Sequence, residues 1–536
     1  MQATQQQEAP PYNTTHPLSR SLATSIVHDQ LVSAYFECYN KSYPILHEGM
    51  FRAQYAARHR LVRDDSWQMV LYMVLAIGEW AGGFSSEHHS VFYDAARSRF
   101  RPESLEKGNL TTVQAFLLMS NYLQKRDRPN TAFNILGIAH RMAFGLGLHR
   151  EPNQHGDADT FSKLRRRTLF WVLYCFDSGF SITTGRPGFM CDSFIDVNIP
   201  HNLNDTRCEA PDDQPSEVLE PTSVSAIMAQ ARLAKVANKA YAQFSGVSPC
   251  ADADHQTCIM EHMLDSWRTS LPDYFYKDDV PSWFLGSRKI VLWKESNVRI
   301  LLLLASQRQR TDLHEKITVG QRYQSVATDT LVDICTFLKD SQILVNQSIA
   351  WYAVYFVLQA ALALSVHELA KSTITSLPSR QGCAGSQTYD QLMNQTRTCL
   401  QHLAQFDVNC ARALRGLVQL QRGVVQSRAE SILPPPQDTG RVPTQSDPPD
   451  TNTLNDIRPT ETCPERDLPN RNGPPEPVDP PDAFPYGSNG IYMPGFHDVM
   501  DVSFPAFDNG QFLAGVFQDC YGPFQFTQGT QDTDRE

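Results

Sequence analysis

Along most of this chain apolar positions recur at the three-to-four-residue spacing of a helix face, and they almost never alternate one by one. Trp67 to Trp80 (WQMVLYMVLAIGEW) is apolar nearly all round, the pattern of a helix buried on every side. Thr111 to Lys125 opens on a Thr pair suited to N-capping and then continues apolar. In 130–148, Leu136, Ala139, Ala143 and Leu146 fall on one helical face, and 164–180 repeats the style. Further helices are predicted over 223–244, 257–269, 287–309, 321–339, 349–370, 389–406 and 410–430. The apolar-aromatic run 32–39 is broken by Tyr43-Pro44-Ile45-Leu46. With no sustained period-two run and no hairpin pair, the expected fold class is all-α, a multi-helix array.

The pattern fades at both ends of that array. Residues 1–28 read as a polar leader, and 29–430 as the helical body, interrupted by an acidic loop at 200–222. Fifteen prolines fall between Pro434 and Pro485, among Ser, Thr, Asn and Asp. Such a stretch buries too little apolar surface to offset chain entropy, so 431–483 is expected to be a disordered linker. From Phe484 onward aromatics return, interspersed with Asp498, Asp501, Asp508 and Asp519, and no Lys or Arg stands between Asn472 and Asp534. Acidic groups keep such rings solvated until a partner groove appears. The segment 484–536 is therefore expected to be an acidic/aromatic activation segment that contacts coactivator through Phe504, Phe507, Phe512 and Phe517. The alternative is a small element docked on the body.

Charge sharpens that division. Of 536 residues, 47 are Lys or Arg and 58 are Asp or Glu, a net of −11. Residues 431–536 hold five Arg, no Lys and 17 acidic residues, so the rest of the chain is close to neutral. A neutral body argues against a broad phosphate-binding face. The twelve cysteines include no C-x-x-C pair, which leaves no ordinary zinc-finger or redox signature and suggests reduced thiols. Residues 1–20 lack the apolar run of a signal peptide. Ile349 to Val366 is long enough to span a bilayer, yet Gln359 and Ser365 lie inside it and no basic residue closely flanks it. A buried core helix, and no membrane partner, is the expectation.

Candidate chemistry is thin. Arg165-Arg166-Arg167 suits an import signal or a phosphate contact, but a helix edge whose guanidiniums bond carbonyls or carboxylates fits better. Asp177, further along the same helix, suits a structural pairing. Cys250, His255, Cys258 and His262 are zinc-capable types at spacings unlike those of structural sites. Asp64-Asp65 lacks the further acidic positions of a metal-diphosphate site. His47, His140 and His149 read as core or cap residues. No catalytic motif stands in a suitable context, so no enzyme is expected.

Three stretches together resemble the fungal-specific transcription factor domain, the central regulatory region of zinc binuclear cluster regulators. Tyr35 to Phe51 (YFECYNKSYPILHEGMF) is similar to its opening signature, Ala132 to Arg150 (AFNILGIAHRMAFGLGLHR) to its central helix, and Arg165 to Pro200 to its "RRR…D…GRP" block. Trp67–Trp80 and Ala350–Leu362 look like the subgroup that includes the yeast galactose and lactose activators. The resemblance implies a nuclear regulator, most simply an activator of RNA polymerase II genes in a secondary-metabolite cluster or in carbon metabolism. It also implies a body responsive to a small-molecule effector, and homodimer or heterodimer formation. The turn Gly185-Arg186-Pro187 is implied to shape the wall of an effector pocket. The family's six-cysteine zinc module is not in this sequence, whose first cysteine is Cys38. Zinc and promoter DNA therefore enter only through such a module elsewhere or through a partner. A regulator without DNA contact, serving as corepressor or heteromeric partner of a complete family member, is the alternative.

Overall fold

The computed structural model describes residues 17–430 apart from 61–64, 85–89, 107, 153–159, 204–216, 245–251, 311, 342–343, 375–383 and 407–408. The linker and the activation segment assigned to 431–536, with Phe504, Phe507, Phe512 and Phe517, lie outside the described residues.

The described residues form fifteen α-helices. In chain order these are α1 (Pro17–Tyr35), α2 (Glu48–Ala56), α3 (Asp65–Ala81), α4 (Val91–Arg97), α5 (Pro102–Glu106), α6 (Leu110–Lys125), α7 (Pro129–Gly145) and α8 (Thr160–Thr184). There follow α9 (Ser225–Phe244), α10 (Ala253–Thr269), α11 (Ser282–Gln309), α12 (Leu313–Asp340), α13 (Gln347–Ile374), α14 (Ala384–Leu403) and α15 (Asn409–Glu430). No strand occurs among the described residues; a lone bridge joins Leu203 to Glu217. The all-α expectation holds, and every helix expected between 67 and 430 has its counterpart. The short α2, α4 and α5 carry no long apolar stripe and were not expected. Helix α1 starts at Pro17 and so crosses the 28/29 boundary at which the leader was expected to end.

Local chemistry sets the ends. The expected Thr cap of α6 is corrected: Asn109 is the cap, its side chain accepting from Thr112 N at 2.9 Å. Asp252 and Asp312 cap α10 and α12 in the same way, meeting amide donors that have no partner within the helix. His47 caps α2 through Nδ1, accepting from Met50 N at 3.1 Å. Gly78 lies mid-helix for a packing reason. A Cβ there would meet the Leu31 carbonyl oxygen at 2.0 Å, so only glycine lets α1 cross α3 this closely.

Helices α1, α3 and α6 pack in series, and α7 lies against α6; α9 then links α8 to α11. Helix α13 touches α3, α11, α12, α14 and α15, which makes it the axis of the array. Its stretch Gln347–Leu369 is long and apolar enough to cross a membrane, yet 83% of the apolar window is buried against its neighbours. That matches a core helix of a folded domain. A smaller apolar cluster, with Leu233, Leu264, Trp267 and Phe284, joins α9, α10 and α11.

Candidate functional site

The Arg triplet serves the packing of α8. Arg165 is buried and donates from Nη2 to the carbonyls of Pro44 and Ile45, both at 3.0 Å. Arg166 donates to the Leu146 carbonyl and Arg167 pairs with Glu151. These are the carbonyl and carboxylate partners expected, although Arg165 sits in the interior and not on a solvated edge.

Twelve residues further on, Asp177 is 1% exposed and organises the loop after α8. Its Oδ2 accepts the backbone N–H of Phe189 at 2.9 Å and of Met190 at 3.0 Å. The structural role is as expected, but the partners are amides and not a charged residue. Burial pushes this carboxyl up to about 6, against the opposing pull of the two amides. His140 Nε2 lies 3.8 Å from Oδ1 and has no hydrogen-bond partner. Burial lowers this imidazole to about 3, so it is neutral and the contact is not an ion pair.

The turn Gly185-Arg186-Pro187 closes α8, with Gly185 at φ 66°. Arg186 bonds Asn130 Oδ1 and lies 4.7 Å from the Phe133 ring centre. It therefore fastens the loop to the start of α7. None of the three turn residues is in the wall of the interior cavity that opens beside it; Phe180, Ile182 and Thr183, just upstream, are.

That cavity is the candidate functional site. It is a half-enclosed recess of about 730 Å³ including its mouth, within which the centres of water-sized molecules have about 90 Å³. Six parts of the chain enclose it: Tyr43 of the opening block, Asn121 with Gln124 of α6, 175–183 of α8, Gln230 of α9, Lys294 of α11, and Tyr352 with Trp351 of α13. Helical spacing explains the convergence. Lys294 and Asn297 lie one turn apart on α11, and Trp351, Tyr352, Tyr355 and Phe356 share a face of α13.

Lys294 is the charged group of the wall. Its Nζ donates to Tyr43 Oη at 2.9 Å and to Gln230 Oε1 at 2.6 Å. The rings of Tyr43 and Tyr352 lie 5.2 and 5.5 Å from it. No carboxylate among the described residues pairs with it, and one of its three protons is left over. Desolvation lowers this ammonium to about 8, so it remains mostly protonated at neutral pH. The side chain keeps partial exposure, as a group facing a solvent-reachable recess must. A second cation, Lys125, is buried with its Nζ 3.8 Å from the Trp351 ring and 4.2 Å from that of Tyr352. Burial holds the Cys175 thiol up at about 12 and raises Tyr43 and Tyr352, so the wall supplies no compensating anion at neutral pH. Asn297 is buried in the same wall; its side chain bonds Tyr355 through the amide group, while its Oδ1 has no hydrogen-bond partner.

Sequence reasoning passed over Lys294 and Asn297. The available signal was a Lys and an Asn one turn apart inside an otherwise apolar helix (IVLWKESNVRILLLL). Of the zinc-capable cluster, Cys250 lies outside the described residues, while His255, Cys258 and His262 sit on α10. Among the described residues no group of three or more His, Cys, Asp and Glu comes together. The described cysteines are scattered from Cys38 to Cys410, an arrangement that does not fit a six-thiolate zinc module.

The fold and the site thus define an all-α domain wrapped around a cationic, aromatic cavity. Residues 32–273 match the family model of the fungal specific transcription factor domain. Similar proteins include the lactose regulatory protein LAC9 of Kluyveromyces lactis, 26% identical over 342 residues, a match covering 62% of this chain and 37% of that protein. The transcriptional activator protein acu-15 of Neurospora crassa is 25% identical over 288 residues, covering 52% and 31%. The acetamidase regulatory protein of Emericella nidulans is 34% identical over 164 residues, covering 30% and 20%. Each matched stretch is well under half of the relative's own length.

Proposed function

We propose that this chain is a fungal transcription regulator of the activator type, acting in the nucleus. In it a helical body, 29–430, reads a small molecule and governs the segment 484–536 across the linker 431–483. The observation that supports it best is the convergence of the family's blocks. Tyr43 from the first and Cys175 to Thr183 from the third line one cavity, together with α11 and α13 from beyond residue 273. A molecule bound there touches five helices and the opening block at once. It shifts the array toward whichever packing holds it more tightly, by as much as its affinities for the two packings differ. The Gly185-Arg186-Pro187 turn borders this site and sets the position of Phe180 to Thr183.

In this reading Phe504, Phe507, Phe512 and Phe517 engage the transcription coactivator machinery. Promoter DNA is reached through a zinc module outside this sequence or through a partner subunit, as a homodimer or heterodimer. The test is to fuse 484–536 to an unrelated DNA-binding module and assay a reporter. Activation is expected, and it should be lost when those four Phe are changed to Ala. An inert fusion, or one indifferent to the four changes, refutes the tail assignment.

A further inference from the structure

We propose that the cavity's ligand is a small hydroxycarboxylic acid with a flat apolar body, its carboxylate held by Lys294 and its hydroxyl donating to Asn297 Oδ1. This rests on the cavity being the effector site of the regulator proposed above.

The charge argues for an anion. Lys294 has two neutral acceptors, Tyr43 Oη and Gln230 Oε1, and no acidic partner. Lys125, which does not line the cavity, places a second ammonium 4.2 Å from the Tyr352 ring centre. An uncompensated ammonium in a desolvated wall is costly, and a carboxylate removes that cost while making a charge-assisted hydrogen bond. The wall is also mainly aromatic and aliphatic, with Phe176, Phe180, Trp351 and Tyr355 around the polar groups. Such a lining suits a planar hydrocarbon body and disfavours a multiply charged phosphate ester.

The hydroxyl follows from Asn297. A buried amide oxygen without a donor is rare and is met by a ligand O–H or N–H. Asn297 stands one helical turn from Lys294, with about 5–6 Å between Cβ atoms at that spacing. Side chains that share one wall at this spacing suit a donor within a few bonds of the carboxylate, as in a 2- or 3-hydroxy acid.

The experiment measures saturable binding to the full chain by calorimetry, using mandelate, 3-phenyllactate, 3-phenylpropionate and 3-phenyllactamide as probes. At least one of the two hydroxy acids is expected to bind, with 3-phenyllactamide at least tenfold weaker than 3-phenyllactate. Lys294→Met should weaken the acids at least tenfold and Lys294→Arg should restore most of the loss. Asn297→Leu should erase the preference for 3-phenyllactate over 3-phenylpropionate. Each variant is first checked for an unchanged helical spectrum and a cooperative melt. No binding by either hydroxy acid, equal binding of acid and amide, or full affinity in Lys294→Met overturns the assignment.

A reporter arm separates this from the regulatory reading. If an acid binds through Lys294 but neither it nor the cavity-filling Val298→Phe alters full-chain reporter output, the ligand class stands and the regulatory role fails. If no acid binds while Val298→Phe changes output, the regulatory role stands and the ligand class fails.

Discussion

The Lys294 ammonium donates to the Tyr43 hydroxyl at 2.9 Å, across 251 positions of chain. Tyr43 belongs to the opening block and Lys294 to α11, so this bond ties the matched family segment to helices that follow it. Gln230 completes the tie, accepting from Lys294 and donating to the Ser42 carbonyl at 3.3 Å. The cavity is thereby held by polar contacts in an otherwise apolar interior.

Burial makes Lys294 an energetic liability. Its lowered pKa, about 8 against an ordinary 10.5, corresponds to at most about 3 kcal/mol of destabilisation at neutral pH, partly offset by its two hydrogen bonds. Lys294→Met should therefore stabilise the ligand-free chain by about 1–3 kcal/mol in a urea melt at pH 7. The unfolded chain binds the proton more tightly, so the penalty is full below pH 8 and is relieved as pH rises toward 10.5. Cys175, Tyr43 and Tyr352, which face the ammonium, are all shifted up. The advantage of the Met variant should shrink across that window.

Asp177 behaves oppositely. Its folded pKa, raised from 3.8 to about 6, means the folded chain keeps the proton longer than the unfolded one. Stability contributed by the protonated form is full below pH 3.8 and falls as pH rises through 6. Asp177→Asn retains an oxygen for the Phe189 and Met190 amides and turns an N–H toward the unpartnered Nε2 of His140. At pH 7 it should stabilise the fold by about 1–3 kcal/mol, with the gain vanishing near pH 4. Thermal melts at the two pH values check this.

Arg165 holds the opening block onto α8. Without its guanidinium the Ile45 carbonyl keeps Gln114 Nε2, at 3.1 Å, while the Pro44 carbonyl loses its contact from Arg165. Arg165→Ala should cost about 2–4 kcal/mol, and Arg165→Lys about half that, measured as a shift in urea midpoint.

Glu295 is a fully buried carboxylate held by Arg268 at 3.1 Å and by Arg299 at 2.8 Å. Glu295→Ala leaves Arg299 with Asp265 as its remaining carboxylate partner, at 2.8 Å, and should cost about 2–3 kcal/mol. The double variant Glu295→Ala with Arg299→Met should recover part of the loss, and a double-mutant cycle measures how much.

The long helices were legible because α3, α6, α7 and α13 bury most of their circumference or one continuous face, and that periodicity is written directly in the chain. The family's blocks were legible as well. The cavity was not, because its wall joins positions as distant as Tyr43 and Tyr352, and no local window brings them together. The caps show a similar limit. Thr111-Thr112 looked like the start of α6, but Asn109 accepts the Thr112 amide and moves the start back to Leu110. Asp177 was read as suited to a structural pairing, yet its amide partners appear only once the loop folds back over α8.

The position of α13 bears on where this protein can be cut. A fragment ending at residue 273 would leave the α3 surface that α13 covers, and the α9 surface that α11 covers, open to water. Such a fragment would clump or be degraded. Trimming, fusion and two-hybrid baits should therefore keep everything through α15, however complete a shorter stretch looks on paper.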